Sequence, residues 1–217
     1  VIGYQNRPHS RWEITLRTRK PALTSGPMTD AEPHCSICLA TRNKAEYLER
    51  TLTSIRSQKV PFPYEVIVAD DGSTDATRDV CWRHGVRYLY LDNDRYRNPS
   101  LARNTAYRAA RGDVLIAQSD DVVHAGPNVV RDLVEGLQPG GISIATVLNM
   151  LPGTSTPCHK PFHCYSGVDR QRPYFFLGSL WRKDVYAFGG NDEEFTEPCW
   201  DDNWFADCLV KGLGLNV

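Results

Sequence analysis

The chain has 217 residues, of which 41% are hydrophobic and 24% charged, a balance typical of a folded protein and not of a disordered one. Its 25 basic and 26 acidic residues leave a formal net charge of −1, which argues against a general polyanion-binding protein. No apolar run approaches the ~18–20 residues of a membrane span and no charged-then-apolar leader is present, so we expect a soluble, cytoplasmic protein.

Residues 1–33 differ in composition from the rest of the chain. They contain four prolines and no sustained apolar period, and the first 20 residues hold five basic side chains against one acid. We interpret 1–33 as an N-terminal extension, either packed on the domain or a disordered tail, and 34–217 as a single domain.

From residue 35 onward, short apolar runs alternate with helical patterns. Strands are predicted at 35–40, 65–70, 86–91, 113–118, 142–148 and 174–180. Helices are predicted between them, one capped by Asn43 and ending near Gln58, and others at about 74–85, 100–111, 127–137 and 201–212. This alternation predicts an α/β fold, Rossmann-like, with a mainly parallel sheet flanked by helices.

Short polar side chains and carboxylates follow three of the predicted strands, at residues 41–43, 70–75 and 118–121. Ligands of open parallel sheets bind beyond the carboxyl ends of the strands, so these segments are expected to meet at one crevice. A cluster of carboxylates is costly unless a cation or hydrogen-bond donors lie among them.

Several common nucleotide and hydrolase motifs are absent. The sequence has no G-x-G-x-x-G after the first strand, no G-x-x-x-x-G-K-[ST] and no G-x-S-x-G. The DDGSTD segment lacks the ligand spacing of an EF-hand. A loop at 158–164 holds cysteines and histidines, but its spacing matches no familiar zinc pattern.

Four segments together resemble the family-two glycosyltransferases, which have the GT-A fold. They are CSICLATRN, VIVADDGSTDATRD, ARNTAYRAARGDVLIAQSDD and FGGNDEEF…WDDNWF, in the family's order, and the resemblance spans about residues 35–213. It implies that 34–217 is a GT-A catalytic domain that uses a nucleotide-diphospho-sugar, UDP being the nucleotide expected.

The resemblance also implies which residues bind the donor. The end of the first strand, with Thr41 and Arg42, and the first aspartate pair, Asp70 and Asp71, would hold the nucleoside, one carboxylate accepting the uracil N–H. Helix capping is the alternative role of that pair. Arg103 matches the A-R-N segment, where a cation lies near the diphosphate.

The same resemblance implies a metal at the end of the fourth strand. Ser119-Asp120-Asp121 matches the family's D-x-D segment, and carboxylate oxygens suit Mg²⁺ or Mn²⁺, which would bridge the phosphates. Gln118 stands where the first aspartate is common. Asp120 and Asp121 are therefore left to share the metal, and helix capping alone is the alternative.

The last motif implies the general base. The pair Asp201-Asp202 falls where hexosamine- and galactose-transferring members carry Glu-Asp, so Asp202 is the expected base and Asp201 the second candidate; both could instead only cap a helix. The implied reaction is inverting transfer of a hexose or N-acetylhexosamine to an acceptor hydroxyl.

Two other functions remain open at this stage. A non-catalytic nucleotide-sugar-binding module would keep the fold, and a nucleotidyltransferase would share it but needs a Gly- and Arg-rich phosphate loop that ATRNKAE does not supply. The acceptor is expected to be a glycan or another hydroxyl compound. The basic extension would favour an anionic polymer, or nucleic acid.

Overall fold

The computed structural model describes residues 32–151, 154, 164–165 (backbone only), 175–195, 197 and 201–216. All but the last two residues of the predicted extension 1–33 lie outside these residues, as do residues 158–163 of the Cys/His loop. No helix in the described part of the chain is long and apolar enough to cross a membrane.

Eight strands are present: β1 (Cys35–Thr41), β2 (Tyr64–Asp70), β3 (Arg87–Tyr90), β4 (Val114–Ser119), β5 (Ser143–Ile144), β6 (Val147–Leu148), β7 (Cys164–Tyr165) and β8 (Leu177–Trp181) in the described residues. The helices there are α1 (Ala45–Arg56), α2 (Thr77–Arg83), α3 (Ser100–Ala109), α4 (Val129–Glu135), α5 (Arg182–Phe188) and α6 (Asp201–Asp207). A π-helical turn, Cys208–Gly212, continues α6.

The main sheet has six described strands in the order β3-β2-β1-β4-β8-β5. The pairs β3–β2, β2–β1 and β1–β4 are parallel, which confirms the prediction of a mainly parallel sheet. Strand β8 is antiparallel to both β4 and β5 and lies between them. The short strands β6 and β7 form a separate pair.

The core lies on both faces of this sheet because side chains of a strand alternate between faces. In β1, Ile37 and Leu39 join an apolar cluster with Leu48 and Leu52 of α1, whereas Cys38 joins the cluster on the opposite face. All four aliphatic side chains are at most 1% exposed, and each contributes roughly 1.5–3 kcal/mol of hydrophobic free energy. The buried strands fix the edge at which the polar strand ends meet.

Two predictions about local structure were wrong. The strand predicted at 142–148 is two short strands, because the chain leaves β8 after β5 and pairs β6 with β7 instead. Helix α5 was not predicted, since it buries only Val185 and so shows no apolar period. It ends at Gly189, whose φ of 97° is left-handed.

The predicted cap of α1 was also wrong, because the side chain that accepts the hydrogen bond is not that of Asn43. Asn43 adopts a left-handed φ of 51°, and its Oδ1 accepts the N–H of Thr74 at 2.7 Å. The N–H of Ala45 donates instead to Asp75 Oδ2 at 2.9 Å, while Asp75 Oδ1 accepts the N–H of Thr77 at 3.0 Å. One carboxylate therefore caps both α1 and α2 and joins the loops after β1 and β2.

Candidate active site

The ends of β1, β2 and β4 lie side by side, as their sequence predicted. Thr41 of β1 is in register with Asp70 of β2, and Ala40 is in register with Ser119 of β4. Two of the three predicted aspartate pairs lie here, since Asp70 and Asp71 stand at the end of β2 and Asp120 and Asp121 follow β4. The crevice is therefore formed by segments far apart in sequence, with β1 in its centre.

Asp70 is built into the frame of this crevice. Its side chain is fully buried, Oδ1 accepts the N–H of Ser73 at 2.9 Å, and Oδ2 accepts the Tyr88 hydroxyl at 2.6 Å. Burial raises the pKa of Tyr88, and its hydrogen bond to the Asp70 carboxylate raises it further. The Tyr88 hydroxyl therefore stays a donor, and Asp70 has both oxygens engaged.

Asp71 is held by a different set of partners. Arg97 Nε lies 2.9 and 3.1 Å from its two carboxylate oxygens, and Asn93 Nδ2 donates to Oδ2 at 3.1 Å. Arg42 donates to the backbone carbonyl of Asp71 and lies 3.4 Å from the carbonyl of Asn93. Of these partners, Arg42 is a predicted donor-binding residue, and here its guanidinium ties the two loops together.

A glycine is required in the same turn. Gly72 has a left-handed φ of 79°, and a Cβ at this position would lie 1.9 Å from the carbonyl oxygen of Asn93. The backbone of the turn after β2 thus contacts the loop after β3 directly.

The second aspartate pair shares one ammonium group. Lys44 Nζ lies 3.1 Å from Asp120 Oδ1 and 3.0 Å from Asp121 Oδ2. The Asp120 side chain is 8% exposed and that of Asp121 is 46% exposed. Burial raises the pKa of Asp120, while the Lys44 charge opposes that rise. Lys44 was not predicted as a site residue.

The donor atoms at this edge fit a hard divalent cation. Two carboxylates stand at the end of β4, and the buried Thr41 hydroxyl lies close enough to Asp120 to oppose the rise that burial causes in the pKa of that carboxyl. No group of three or more His, Cys, Asp or Glu side chains in the described part of the chain is arranged to bind a metal. The protein side of such a site would therefore be two carboxylates, and other ligands would come from phosphate and water.

Gln118 holds the turn in which these carboxylates lie. Its Nε2 donates to the carbonyl of Val122 at 3.0 Å, and its Oε1 lies 3.0 Å from His124 Nε2. Burial lowers the pKa of His124 to about 4, so the ring is neutral at pH 7 and donates from Nε2, as the Gln118 oxygen requires. Gln118 thus has a structural role in place of the missing aspartate.

The third aspartate pair, at the start of α6, is divided between two environments. Asp201 is buried and forms an ion pair with Arg103 of α3. Asp202 has no hydrogen bond or ion pair with any described residue, and it lines a pocket beside β4. The other described residues that line this pocket are Cys38, Arg103, Tyr107, Ala117, Gln118, Ser119, Phe175, Asn191 and Phe205.

Asn104, next to Arg103 on α3, fixes the start of the segment that leads to α6. Its Oδ1 accepts the N–H of Asn191 at 2.8 Å, and its Nδ2 donates to the Asn191 carbonyl and to Glu193 Oε1, both at 2.8 Å. Gly190 has a φ of 80°, and a Cβ there would lie 2.3 Å from Asn104 Oδ1. Neighbouring residues of one helix therefore hold both ends of this segment.

The structure brings the predicted residues to one edge of the sheet, where they form two groups. Arg103, Asp120 and the Asp201–Asp202 pair lie around the end of β4, whereas Arg42 and Asp71 form a separate cluster after β2. Sequence reasoning missed Lys44 and the structural role of His124. Lys44 lies 76 residues from Asp120, so no local spacing marks the pair.

Comparison with known sequences identifies the family of the chain. The sequence model of the family described as "Glycosyl transferase family 2" matches residues 36–189. Validoxylamine A glucosyltransferase of Streptomyces hygroscopicus subsp. limoneus is 39% identical over 189 residues, 83% of this chain and 37% of that protein. Glycosyltransferase AglD of Haloferax volcanii is 29% identical over 206 residues, 87% of this chain and 31% of that protein. The chain thus spans about a third of the length of these relatives.

Solved structures show the same fold. TarS 1–349 of S. aureus superposes with a TM-score of 0.62 at 18% identity, covering 81% of this chain and 54% of that one. The mannosyltransferase PcManGT of Pyrobaculum calidifontis, solved with GDP-Man and Mn²⁺, has a TM-score of 0.61 at 18% identity, covering 90% of this chain and 55% of that one. The chain therefore has the GT-A glycosyltransferase fold.

Proposed function

The chain belongs to glycosyl transferase family 2, and on that premise we propose that it transfers a hexose or N-acetylhexosamine from a nucleotide-diphospho-sugar to an acceptor hydroxyl, with inversion. The observation that carries the proposal is the pocket beside β4, which Asp202 lines together with Arg103 and Ser119, and Asp202 forms no ion pair with any described residue. In-line displacement of a diphosphate requires a base for the attacking hydroxyl and a cation for the leaving group, and this pocket is lined by a residue of each kind.

Asp202 is the proposed general base. Its carboxylate takes the proton of the acceptor hydroxyl as that oxygen forms a bond to the anomeric carbon. The bond from the anomeric carbon to the diphosphate oxygen breaks at the same time, and the electron pair leaves with the nucleoside diphosphate. Asp202 suits this role because it has no partner among the described residues and lines the pocket, whereas Asp201 is committed to Arg103.

Arg103 is the proposed cation for the leaving group. Its side chain is 22% exposed and lines the same pocket as Asp202, so its guanidinium is available to an oxygen anion there. Asp201 is then a positioning residue, since its buried carboxylate fixes the direction of the guanidinium. This assignment differs from the use of Asp201 as an alternative base.

The nucleoside is proposed to bind between the ends of β1 and β2. Asp70 has both carboxylate oxygens engaged inside the fold, so we assign to it a framework role. Arg42 and the Thr41 hydroxyl are proposed to contact base and ribose. Asp71 would contact the nucleoside while it keeps its bonds to Arg97 and Asn93. The structure of TarS with UDP-GlcNAc, which has the same fold, supports UDP as the nucleotide.

Asp120 and Asp121 are the residues that would hold Mn²⁺ or Mg²⁺. When bound, the cation supplies positive charge to the diphosphate as negative charge develops on it. Asp120 is largely buried and fixed by its turn, while Asp121 is half-exposed and free to reorient toward a ligand. The complex of PcManGT with GDP-Man and Mn²⁺ supports this choice of metal.

The acceptor is proposed to be a hydroxyl of a glycan or of another small molecule. The prediction that the basic extension 1–33 attracts an anionic acceptor concerns residues almost entirely outside those described, and it stays a prediction.

Donor turnover without acceptor tests the proposal. The chain is incubated with a panel of UDP- and GDP-sugars and Mn²⁺, and the nucleoside diphosphate released is measured, with NMR of the first sugar product. Release of nucleoside diphosphate with an inverted anomer is the expected result. A donor that binds in a thermal-shift assay but is never cleaved would indicate a binding module, and a retained anomer would contradict the role of Asp202.

A further inference from the structure

We propose that Lys44 is a built-in counter-ion of the Asp120–Asp121 pair, which a divalent cation must displace in order to bind there. The inference rests on the proposed function, because it concerns the metal site that would serve the donor diphosphate. It adds a residue of this chain that controls when the site fills.

The geometry places one ammonium against two carboxylates. Lys44 Nζ is 3.1 Å from Asp120 and 3.0 Å from Asp121, so the two negative charges share a single positive one. The Asp120 side chain is only 8% exposed, and an unpaired charge at this position would be energetically costly. Lys44 therefore stabilises the ionised pair when no metal is bound.

The Lys44 side chain is placed so that it can leave. It is 43% exposed, and it projects from the residue before α1, where it makes no capping hydrogen bond. A lysine ammonium is a flexible point charge, unlike the planar fork of an arginine. Arg97 and Arg103, by contrast, pair with the buried carboxylates of Asp71 and Asp201.

The charge balance of the turn makes competition effective. Gln118 is neutral and is used to hold Val122 and His124, so it contributes no third negative charge at this edge. Two carboxylates that already carry one cation attract a second cation less strongly than two free carboxylates. A diphosphate brings its own negative charge, so metal and nucleotide are expected to bind together.

Metal binding without nucleotide separates this role from a structural one. Mn²⁺ is titrated into the full chain, and free Mn²⁺ is followed by its EPR signal, for the unmodified protein, Lys44→Gln and the control Lys59→Gln. Lys59 is exposed and has no ion pair with described residues. We expect Lys44→Gln to bind Mn²⁺ about tenfold more tightly, since a competing ion pair is removed, and Lys59→Gln to be unchanged.

A second variant, Lys44→Arg, tests the counter-ion role even if Lys44→Gln does not fold. Lys44→Arg keeps the charge and offers more donors to both carboxylates, so it is expected to bind Mn²⁺ several-fold more weakly. Equal or weaker Mn²⁺ binding by Lys44→Gln, or tighter binding by Lys44→Arg, would overturn the counter-ion role while leaving the proposed function intact. If no variant binds Mn²⁺ even with UDP present, both the counter-ion and the metal site of the proposed function are wrong.

Discussion

The Asp70–Asp71 turn after β2 and the Asp120–Asp121 turn after β4 flank β1 and contain the same dipeptide, but their carboxylates have different partners. Asp70 is bound by a backbone N–H and a tyrosine hydroxyl. Asp120 and Asp121 share one half-exposed ammonium. The Asp70 carboxylate is therefore a permanent part of the fold, whereas the Asp120–Asp121 pair is the place where, on our proposal, a divalent cation would replace Lys44.

The pair Asp201–Asp202 combines both behaviours. Asp201 is buried against Arg103, as a framework carboxylate would be, and Asp202 faces the pocket without a described partner. The comparison teaches that an aspartate pair at the end of an element can be a framework, an exchange site or a reactive group. The partner of each oxygen decides which of these it is.

The largest effect is expected at the unpaired carboxylate. Asp202→Asn removes the proposed base, so kcat for transfer should fall about a thousandfold while donor affinity stays nearly unchanged. Steady-state kinetics and calorimetry with UDP measure the two quantities. The control is Asp207→Asn on the same helix, which removes an ion pair to Lys211 and should keep kcat. Full turnover by the Asp202→Asn variant would show that Asp202 is not the general base.

The framework pair should matter for stability more than the exchange pair does. Asp70→Ala leaves the Tyr88 hydroxyl and the Ser73 N–H without their acceptor, at a cost of about 3–4 kcal/mol in the free energy of unfolding. Asp121→Ala removes one bond to a half-exposed lysine and should cost less than about 1 kcal/mol. Denaturant unfolding of both variants checks the contrast, and equal losses would refute it.

A smaller loss is expected where α3 meets the segment before α6. Gly190→Ala places a methyl group 2.3 Å from Asn104 Oδ1 at a left-handed φ, so we expect a loss of about 2–3 kcal/mol in the free energy of unfolding. Because Asn104 holds this segment, kcat should fall with stability. Gly140→Ala, at a φ of 71° with no atom near its Cβ, is the matched control and should show the backbone strain alone, about 1–2 kcal/mol.

The smallest effect is expected from His124, which is bound to Gln118 in the turn after β4. Burial lowers the folded-state pKa of His124 to about 4, against roughly 6.5 in the unfolded chain. As the pH falls below 6.5, the unfolded chain binds a proton that the folded chain does not, so stability decreases by about 1.4 kcal/mol per pH unit until about pH 4. Unfolding free energies of the unmodified chain and His124→Gln at pH 7.5 and 5.5 test this, and parallel decreases would exclude His124 as the cause.

Much of the fold was predictable because it depends on local patterns. Buried runs such as 65–70 and the period of α1 predict the first four strands and their parallel direction, and parallel strands end at the same edge of a sheet. The place of β8 between β4 and β5 was not predictable, since it depends on pairing between segments far apart in the chain.

The site was predictable as a set of residues but not as a set of partners. Sequence reasoning identified Asp70 and Asp71 together, because adjacent residues share every sequence signal. Only the strand geometry directs one toward Tyr88 and the other toward Arg97. Long-range ion pairs, such as that between Lys44 and Asp120, leave no periodicity in the sequence.

Helix α3 and the residues just before it anchor the connection that leads to α6, which bears on where this connection tolerates insertions. The connection from Asn191 to Asp201 is tied at its start to Asn104, at its end to Arg103, and between them at the carbonyl of Glu197, which accepts from Asn98 Nδ2 at 2.9 Å. Because these anchors lie on or just before one helix, they hold both ends of the connection that leads to Asp202. A relative or an engineered variant could therefore gain a new acceptor through an insertion in this connection while its base stays in place, since loop insertions are cheap when both ends are fixed.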